Sequence, residues 1–225
     1  MVKKEVLGVK VDDISMDEAM DIVANWLEKP GKHYIVTPNP EFIMAAAEDK
    51  DFRRILNEAD LAIPDGVGLK LAGVKNNVPG VDLMQKLIEM ASENAYTVGL
   101  LGGRAKVAEK TAERLVAKYP HLKIVFTGEE WENRFPRKSI DLLFVAFGHL
   151  KQEKWIVANL DKIPVKVAIG VGGAFDYLSG IVPRAPIWVR KMGLEWLFRL
   201  IIQPWRIKRQ LALTRFICRM CIDRI

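Results

Sequence analysis

Short apolar runs alternate with amphipathic segments along most of the chain. The apolar runs cover residues 4–11, 33–37, 60–64, 96–101, 122–127, 141–148 and 165–173. Between them, apolar residues recur at intervals of three and four, which predicts helices. Strands that are apolar on both faces and separated by helices are typical of a parallel sheet covered on both sides. The pattern therefore predicts an α/β fold with a Rossmann-like, mostly parallel sheet flanked by helices.

Local signals predict where several helices begin and end. Ser15 and Glu18 form a capping box at the start of the first helix. Near the C-terminus, residues 186–202 predict one helical segment and residues 204–221 another, because Pro204 breaks the pattern. We therefore expect two parts, an α/β catalytic or binding body over residues 1–185 and a helical appendage over residues 186–225.

The appendage differs from the body in charge. Residues 190–225 hold nine Lys and Arg against two acidic residues, a local net charge of +7, whereas the whole chain carries +6. Leu, Ile, Trp and Phe lie between these basic residues. A basic amphipathic helical end on a near-neutral body is typical of a protein that associates with an anionic membrane surface.

Composition excludes several classes of protein. The chain has no run of about 18 uncharged apolar residues, and its first ten residues are too charged for a signal peptide. The sequence therefore predicts a cytoplasmic protein, peripheral on the inner face of a membrane. The pI of about 9.3 raises nucleic acid as an alternative partner. The basic residues alternate with large apolar ones, however, and an RNA-recognition signature is missing, so no nucleic acid is expected.

The two cysteines, Cys218 and Cys221, lie in the appendage. Half a zinc site is the alternative interpretation, but no second cysteine pair exists and the histidines are distant in sequence. Two thiols on one helix face is the better interpretation. We therefore predict no metal site.

Ligands of doubly wound α/β folds bind beyond the carboxyl ends of the strands, which makes Asp65 a candidate functional residue. It follows a predicted strand and lies between Pro64 and Gly66, which together allow a sharp turn that faces the carboxylate into a cleft. Such a carboxylate suits a general base. An aspartate that bonds its own turn backbone is an equal alternative.

Glycines and polar side chains near other strand ends extend the candidate set. Two glycine-rich strand exits are consistent with a nucleotide bound over the sheet, although neither has the G-x-G-x-x-G spacing. They contain Gly102, Gly103 and Arg104 at the first exit, and Gly172 and Gly173 at the second.

Gln152 could hydrogen-bond a sugar or base, although a solvated first helical turn explains it as well. In the appendage, Arg199, Arg206 and Arg209 carry guanidinium groups that match diphosphates.

Seven motifs in a fixed order resemble the WecG/TagA/CpsF family of bacterial glycosyltransferases along nearly the whole chain. They are T-P-N-P-E-F (37–42), A-D-L-A-I-P-D-G-V-G (59–68), G-V-D-L (80–83), L-L-G-G (100–103), F-V-A-F-G-x-x-K-Q-E-K-W-I (144–156), V-G-G-A-F-D-Y-L-S-G (171–180) and R-A-P-x-W-x-x-x-x-G-L-E-W-L-F-R-L (184–200).

The resemblance implies an inverting transferase that needs no metal or other cofactor. Its donor would be UDP-N-acetylmannosamine, and its acceptor the 4-hydroxyl of GlcNAc on undecaprenyl diphosphate, in synthesis of the wall teichoic acid linkage unit. Carried over by motif, Asp65 is the base, Thr37 and Asn39 lie beside it in the cleft, and Gln152 is a further polar pocket residue. The appendage with its arginines would close over the active site at the membrane.

The chain departs from the family pattern at two positions. Leu150 stands where members commonly have a proline, and Asn77 where many have an arginine. The segments 68–80 and 128–140 are also shorter than usual. Two alternatives stay open: the same chemistry with another donor, such as UDP-N-acetylmannosaminuronic acid, and a membrane-bound nucleotide-binding module without activity. Self-association into a homo-oligomer is also left open.

Overall fold

The computed structural model describes residues 2–130 and 139–222, without the side chains of residues 208–210. Six parallel strands form its main sheet, in the order β4-β3-β8-β7-β5-β6, and β1 and β2 form a separate antiparallel hairpin. The strands are β1 (Lys3–Val6), β2 (Val9–Asp12), β3 (His33–Val36), β4 (Leu61–Ala62), β5 (Thr97–Gly102), β6 (Lys123–Gly128), β7 (Ile140–Ala146) and β8 (Val165–Gly170). The predicted parallel α/β fold is thus confirmed.

Helices connect the strands and form the C-terminal end of the described chain. They are α1 (Met16–Glu28), α2 (Pro40–Glu48), α3 (Lys50–Asn57), α4 (Gly80–Glu93), α5 (Val107–Lys118), α6 (Lys151–Asn159), α7 (Ala174–Leu178), α8 (Ile187–Lys191), α9 (Glu195–Ile202) and α10 (Ile207–Ile222). Short 3-10 helices span Val67–Ala72, Leu160–Lys162 and Pro204–Arg206. None of the helices in the described part of the chain combines the length and the hydropathy needed to cross a bilayer.

The predicted capping box is present at the start of α1. The Glu18 N–H donates to Ser15 Oγ at 3.2 Å, and the Ser15 N–H donates to Glu18 Oε2 at 2.7 Å. Two backbone donors that the helix leaves unpaired are satisfied in this way. The first helix therefore begins where the sequence predicts.

Two predicted elements are each divided in the structure. The run 4–11 is a hairpin rather than one strand, because Leu7 and Gly8 adopt φ angles of 50° and 83° and reverse the chain. The segment 186–202 is two helices rather than one, because Gly193 has a φ of 73° between α8 and α9. Residues in the left-handed region interrupt both elements, and periodicity alone does not show them.

The last helix packs on the body. Phe216 of α10 is fully buried in a core cluster with Phe42 and Ile43 of α2 and Phe52 of α3. Met220 of α10 packs against the same cluster. In this structure the appendage is therefore docked on the α/β body through its apolar face.

Candidate active site

Three adjacent parallel strands, β4, β3 and β8, have their carboxyl ends side by side. Strand β3 pairs with β4 on one side and with β8 on the other, so the residues after all three strands are neighbours. The Asp65 N–H donates to the Pro38 carbonyl at 2.9 Å, which holds the two loops side by side. A cleft of about 630 Å³ opens here, with Asp65 in its wall.

Asp65 lies against the N-terminus of α4. Its carboxylate accepts a hydrogen bond from the Gly80 N–H. A Cβ at Gly80 would lie 3.5 Å from Asp65 Oδ2 and 3.8 Å from Thr37 Oγ1, so this glycine brings the helix end against both side chains. Asp65 and Thr37, which the sequence places 28 positions apart, therefore belong to one site.

The environment of Asp65 raises its pKa to about 7. The main cause is removal of water by the surrounding protein, although part of the residue still contacts the cleft. The Gly80 N–H lowers the pKa, the negative charges of Glu195 and Asp82 raise it, and the Arg199 charge lowers it. A carboxylate with a pKa near neutrality can both accept and release a proton at physiological pH, as a general base must.

Asn39 and Asn77 hold the loops around Asp65. The Asn39 side chain caps α2 by accepting from the Phe42 N–H at 3.0 Å, and it also faces the cavities beside Asp65. The Gly66 N–H donates to Asn77 Oδ1 at 2.6 Å, and Gly66 has a φ of 104°. Asn77, one of the two departures from the family pattern, therefore fixes the turn that follows Asp65.

Gln152 is buried beneath the exit of β8. Its Oε1 accepts from the Gly172 N–H at 2.9 Å, and its Nε2 donates to Glu153 Oε1 at 2.6 Å. Burial raises the pKa of Glu153 to about 7. The alternative of a solvated first turn is wrong for Gln152, because only 3% of this residue is exposed.

Leu150, the other departure from the family pattern, precedes α6. It adopts a φ of 69°. Proline is locked near −65° and cannot adopt this conformation. The loop before Gln152 therefore has a shape that a proline at position 150 would not allow.

Gln152, Gly172 and Gly173 line a small polar pocket of about 130 Å³ that also contains Thr37 and Asp65. A third cavity, of about 450 Å³, extends from Asp65 between α2 and α10. Asp65 and Arg206 line all three cavities. The candidate base therefore lies where the three spaces meet.

The cleft is rich in cationic side chains. Arg199 lies against Gly173, with its NH2 3.6 Å from Asp176 Oδ2 and its guanidinium 4.7 Å from the centre of the Tyr177 ring. The described residues that line the cleft include five cations, Arg184, Arg190, Lys191, Arg199 and Arg206, and three acids, Asp65, Asp82 and Glu195. This surplus of positive charge suits a diphosphate. The side chain of Arg209 lies outside the described residues, so its predicted role stays a prediction.

The first glycine-rich exit lies apart from these cavities. A Cβ at Gly102 would come within 2.8 Å of the Ala146 backbone, and one at Gly103 within 3.1 Å of Val107 Cβ. Close packing between β5, β7 and α5 accounts for both glycines. Arg104 is exposed, and none of the three residues lines the cavities around Asp65. Their predicted role in binding stays a prediction.

Three further residues of the cleft, Asp82, Arg184 and Glu195, were not predicted from the sequence. The guanidinium of Arg184 donates to both oxygens of Asp82, at 2.6 and 2.8 Å, and its Nε donates to Glu195 Oε1 at 3.2 Å. All three residues lie within motifs that carry the family resemblance. The pairing of Arg184 with Asp82, 102 positions away, gave no signal in the sequence.

Comparisons with known proteins identify the family of this chain. The N-acetylglucosaminyldiphosphoundecaprenol N-acetyl-beta-D-mannosaminyltransferase of Bacillus subtilis (strain 168) is 32% identical over 206 residues, which cover 82% of this chain and 80% of the relative. The Staphylococcus aureus (strain MRSA252) protein of the same name is 29% identical over 229 residues, or 95% and 90% of the two chains. A profile of the glycosyl transferase WecG/TagA/CpsF family matches residues 4–225. The chain therefore belongs to the WecG/TagA/CpsF family of glycosyltransferases.

Proposed function

We propose that this protein transfers N-acetylmannosamine from UDP-N-acetylmannosamine to the 4-hydroxyl of GlcNAc-diphospho-undecaprenol, in teichoic acid linkage-unit synthesis. The names of the two relatives state this acceptor and this sugar. The observation that carries the proposal is the position of Asp65, a carboxylate with a pKa of about 7 at the rim of a cationic cleft. A hydroxyl acceptor needs a base, and a departing nucleoside diphosphate needs cations.

In this mechanism, Asp65 accepts the proton of the acceptor hydroxyl. The hydroxyl oxygen forms a bond to the anomeric carbon of the donor sugar while the bond from that carbon to the diphosphate breaks. UDP leaves with the bonding electron pair, and the anomeric configuration inverts because attack and departure occur on opposite faces. Thr37 and Gln152 lie close enough to the same pocket to orient the donor sugar.

Arginines of the appendage stabilise the charge that develops on UDP. Arg199 and Arg206 border both the cleft and the small polar pocket, and Arg199 lies against Gly173. Guanidinium groups bind phosphate oxygens in a bidentate manner, and a partly desolvated site strengthens this interaction. Gly172 and Gly173 allow the diphosphate to approach the backbone closely.

The appendage, residues 186–225, is proposed to bind the cytoplasmic face of the membrane and to complete the site of the body, residues 1–185. Support comes from its surplus of basic residues and from exposed apolar side chains, among them Trp188 at 65% and Trp205 at 71% exposed. Tryptophan and cationic side chains together favour the interface of an anionic bilayer. The acceptor named for the relatives is a membrane lipid, which such a position would reach.

The decisive experiment measures UDP release from UDP-N-acetylmannosamine with and without a lipid-diphosphate-GlcNAc acceptor. Release should depend on the acceptor and fall by about 10²–10⁴ in Asp65→Asn, the usual contribution of a general base. Asp51→Asn, an exposed aspartate of α3, is the matched control and should retain activity. Acceptor-dependent release at the wild-type rate in folded Asp65→Asn would contradict the assignment of the base.

Two other results would change the function. Release with another donor only, such as UDP-N-acetylmannosaminuronic acid, would keep the mechanism and change the pathway. Folded protein that releases no UDP from any donor, in the presence of lipid, would indicate a membrane-bound nucleotide-binding module.

A further inference from the structure

The cavity of about 450 Å³, here called the apolar groove, differs in chemistry from its two neighbours. It runs between the 3-10 helix Val67–Ala72, the start of α2, Trp196 of α9 and one face of α10. The residues that line the groove and neither of the other two cavities are Pro40, Gly68, Leu71, Leu213 and Ile217. Among the side chains that the structure describes, those of this part of the groove are neither charged nor hydrogen-bonding.

The polar side chains that the structure describes in the groove lie where it meets the candidate active site. Asp65 and Arg206 also line the cleft and the polar pocket, and Asn39 and Glu41 also line the polar pocket. The groove is thus polar at the candidate base and apolar away from it. An occupant that fits it has a polar head and an aliphatic tail.

Several features keep this apolar surface open. Leu71 and Ile217 are 42% and 40% exposed, although most apolar side chains of this size are buried in a folded core. A Cβ at Gly68 would come within 2.7 Å of Pro40 Cγ and 3.4 Å of Leu213 Cδ1, so a larger residue there would project into the groove. Phe216, one position before Ile217, anchors α10 in the core and fixes this wall.

We propose that the apolar groove binds the isoprenoid units nearest to the diphosphate of a polyprenyl-linked acceptor, with the diphosphate at Arg206 and the sugar at Asp65. The proposal rests on the proposed function, because it takes the acceptor to be a polyprenyl diphosphate sugar. The volume lies within the ~300–1,000 Å³ range of small-ligand pockets, so only the first units fit. The rest of the chain continues toward the membrane along the appendage.

The test compares two acceptors with the same GlcNAc-diphosphate head, one esterified with farnesol and one with methanol. In the wild type, the farnesyl acceptor should have a KM lower by about tenfold or more, since burial of apolar carbon favours binding. Leu71→Gln and Ile217→Gln should each remove most of this advantage without changing the KM of the methyl acceptor. Val116→Gln on α5, 42% exposed and remote from the groove, is the matched control and should keep the advantage.

Equal KM values for the two acceptors in the wild type would overturn the proposal. It would also be overturned if Leu71→Gln and Ile217→Gln kept the full difference in KM between the farnesyl and methyl acceptors. Analytical sedimentation of the wild type and of each variant gives the mass of the protein in solution. Leu71→Gln and Ile217→Gln could lower the mass of an oligomer and leave the difference in KM between the farnesyl and methyl acceptors unchanged. In that case the groove is an interface with a second copy of the protein.

A binding measurement separates this proposal from the proposed function. Calorimetry compares farnesyl diphosphate with inorganic diphosphate, using the same four proteins. Tighter binding of farnesyl diphosphate to the wild type and Val116→Gln, but not to the groove variants, supports the groove even if no transfer occurs. Equal affinity for both probes in all four proteins overturns it, even if transfer occurs.

Discussion

The Asp65 carboxyl group is subject to opposing effects that set its protonation state. Loss of water and the charges of Glu195 and Asp82 raise its pKa, while the Gly80 N–H and Arg199 lower it, with a result of about 7. Burial raises the free energy of the ionised carboxylate. For the same reason the carboxylate binds a proton more strongly than an exposed aspartate does.

The rate of transfer should therefore depend on pH through Asp65. Only the ionised carboxylate accepts a proton, so kcat/KM should fall about tenfold per pH unit below pH 7 and level off above it. Initial rates of UDP release between pH 5.5 and 8.5 test this. A flat profile down to pH 5.5 would show that Asp65 is not the titrating base.

The buried carboxyl of Glu153 should lower stability at alkaline pH. Its pKa of about 7 in the folded protein exceeds the value of ~4.3 in an unfolded chain, so the folded state binds more protons between these values. Stability that is present at low pH is thus lost as pH rises from ~4.3 through about 7.

Glu153→Gln removes this loss, because the amide stays neutral and still offers an oxygen to Gln152 Nε2. We expect its melting temperature to exceed that of the wild type at pH 8, by about 2–4 °C for each kcal/mol recovered, and the difference to shrink at pH 5. Glu113→Gln, which changes an exposed residue of α5, should show no such trend. An equal difference at both pH values would contradict the argument.

Between elements, Arg184 joins the body to the appendage. Its guanidinium binds Asp82 in the first turn of α4 and Glu195 at the start of α9, and its side chain is only 18% exposed. Arg190 of α8 lies 3.7 Å from the same Asp82 oxygen. These ion pairs hold α8 and α9 over the cleft, which places Arg199 near Asp65.

Arg184→Lys should loosen this junction. Lysine keeps the charge but cannot make the two parallel bonds to Asp82. We expect a loss of about 1–3 kcal/mol, between the values for exposed and buried pairs, and faster chymotrypsin cleavage within residues 187–202. Urea unfolding and digestion rates measure the two effects.

Arg54→Lys is the control, because Arg54 pairs with Glu58 within one exposed helical turn. Cleavage of Arg184→Lys at the wild-type rate would show that the ion pairs do not hold the appendage in place.

At the scale of the whole molecule, charge and apolar exposure are concentrated at the C-terminal end. Trp188, Trp205 and Ile201 are at least 65% exposed, and they lie among basic residues. Phe216 meanwhile ties α10 to the core. One face of the appendage is thus bound to the body while other apolar side chains remain available to a membrane.

We expect the protein to bind vesicles that contain phosphatidylglycerol, and salt to weaken this binding. A Trp188→Ser and Trp205→Ser double variant should bind at least about tenfold more weakly, equivalent to ~1.4 kcal/mol. Cosedimentation measures the bound fraction. Val116→Ser serves as the control, and equal binding by the double variant would contradict a membrane role for these tryptophans.

The sequence predicted much of the candidate site because its residues follow strands. Thr37 ends one apolar run and Asp65 directly follows the next, and parallel strands bring their carboxyl ends to one side of the sheet. Gln152 was found through its motif, but the hydrogen bonds that bury it were not predicted. The ion pairs of Arg184 were not predicted, because its partners depend on how the appendage docks on the body.

The sequence alone determined the alternation of strands and helices, the capping of α1 and the basic, apolar character of the appendage. These properties arise from periodicity, backbone preferences and charge within short segments, which act before distant parts of the chain meet. Only the tertiary structure decided that β3, β4 and β8 are neighbours, that β5 with its glycines lies farther along the sheet, and that α10 forms one wall of a groove. Those outcomes depend on packing between surfaces remote in sequence, for which no local pattern carries a signal.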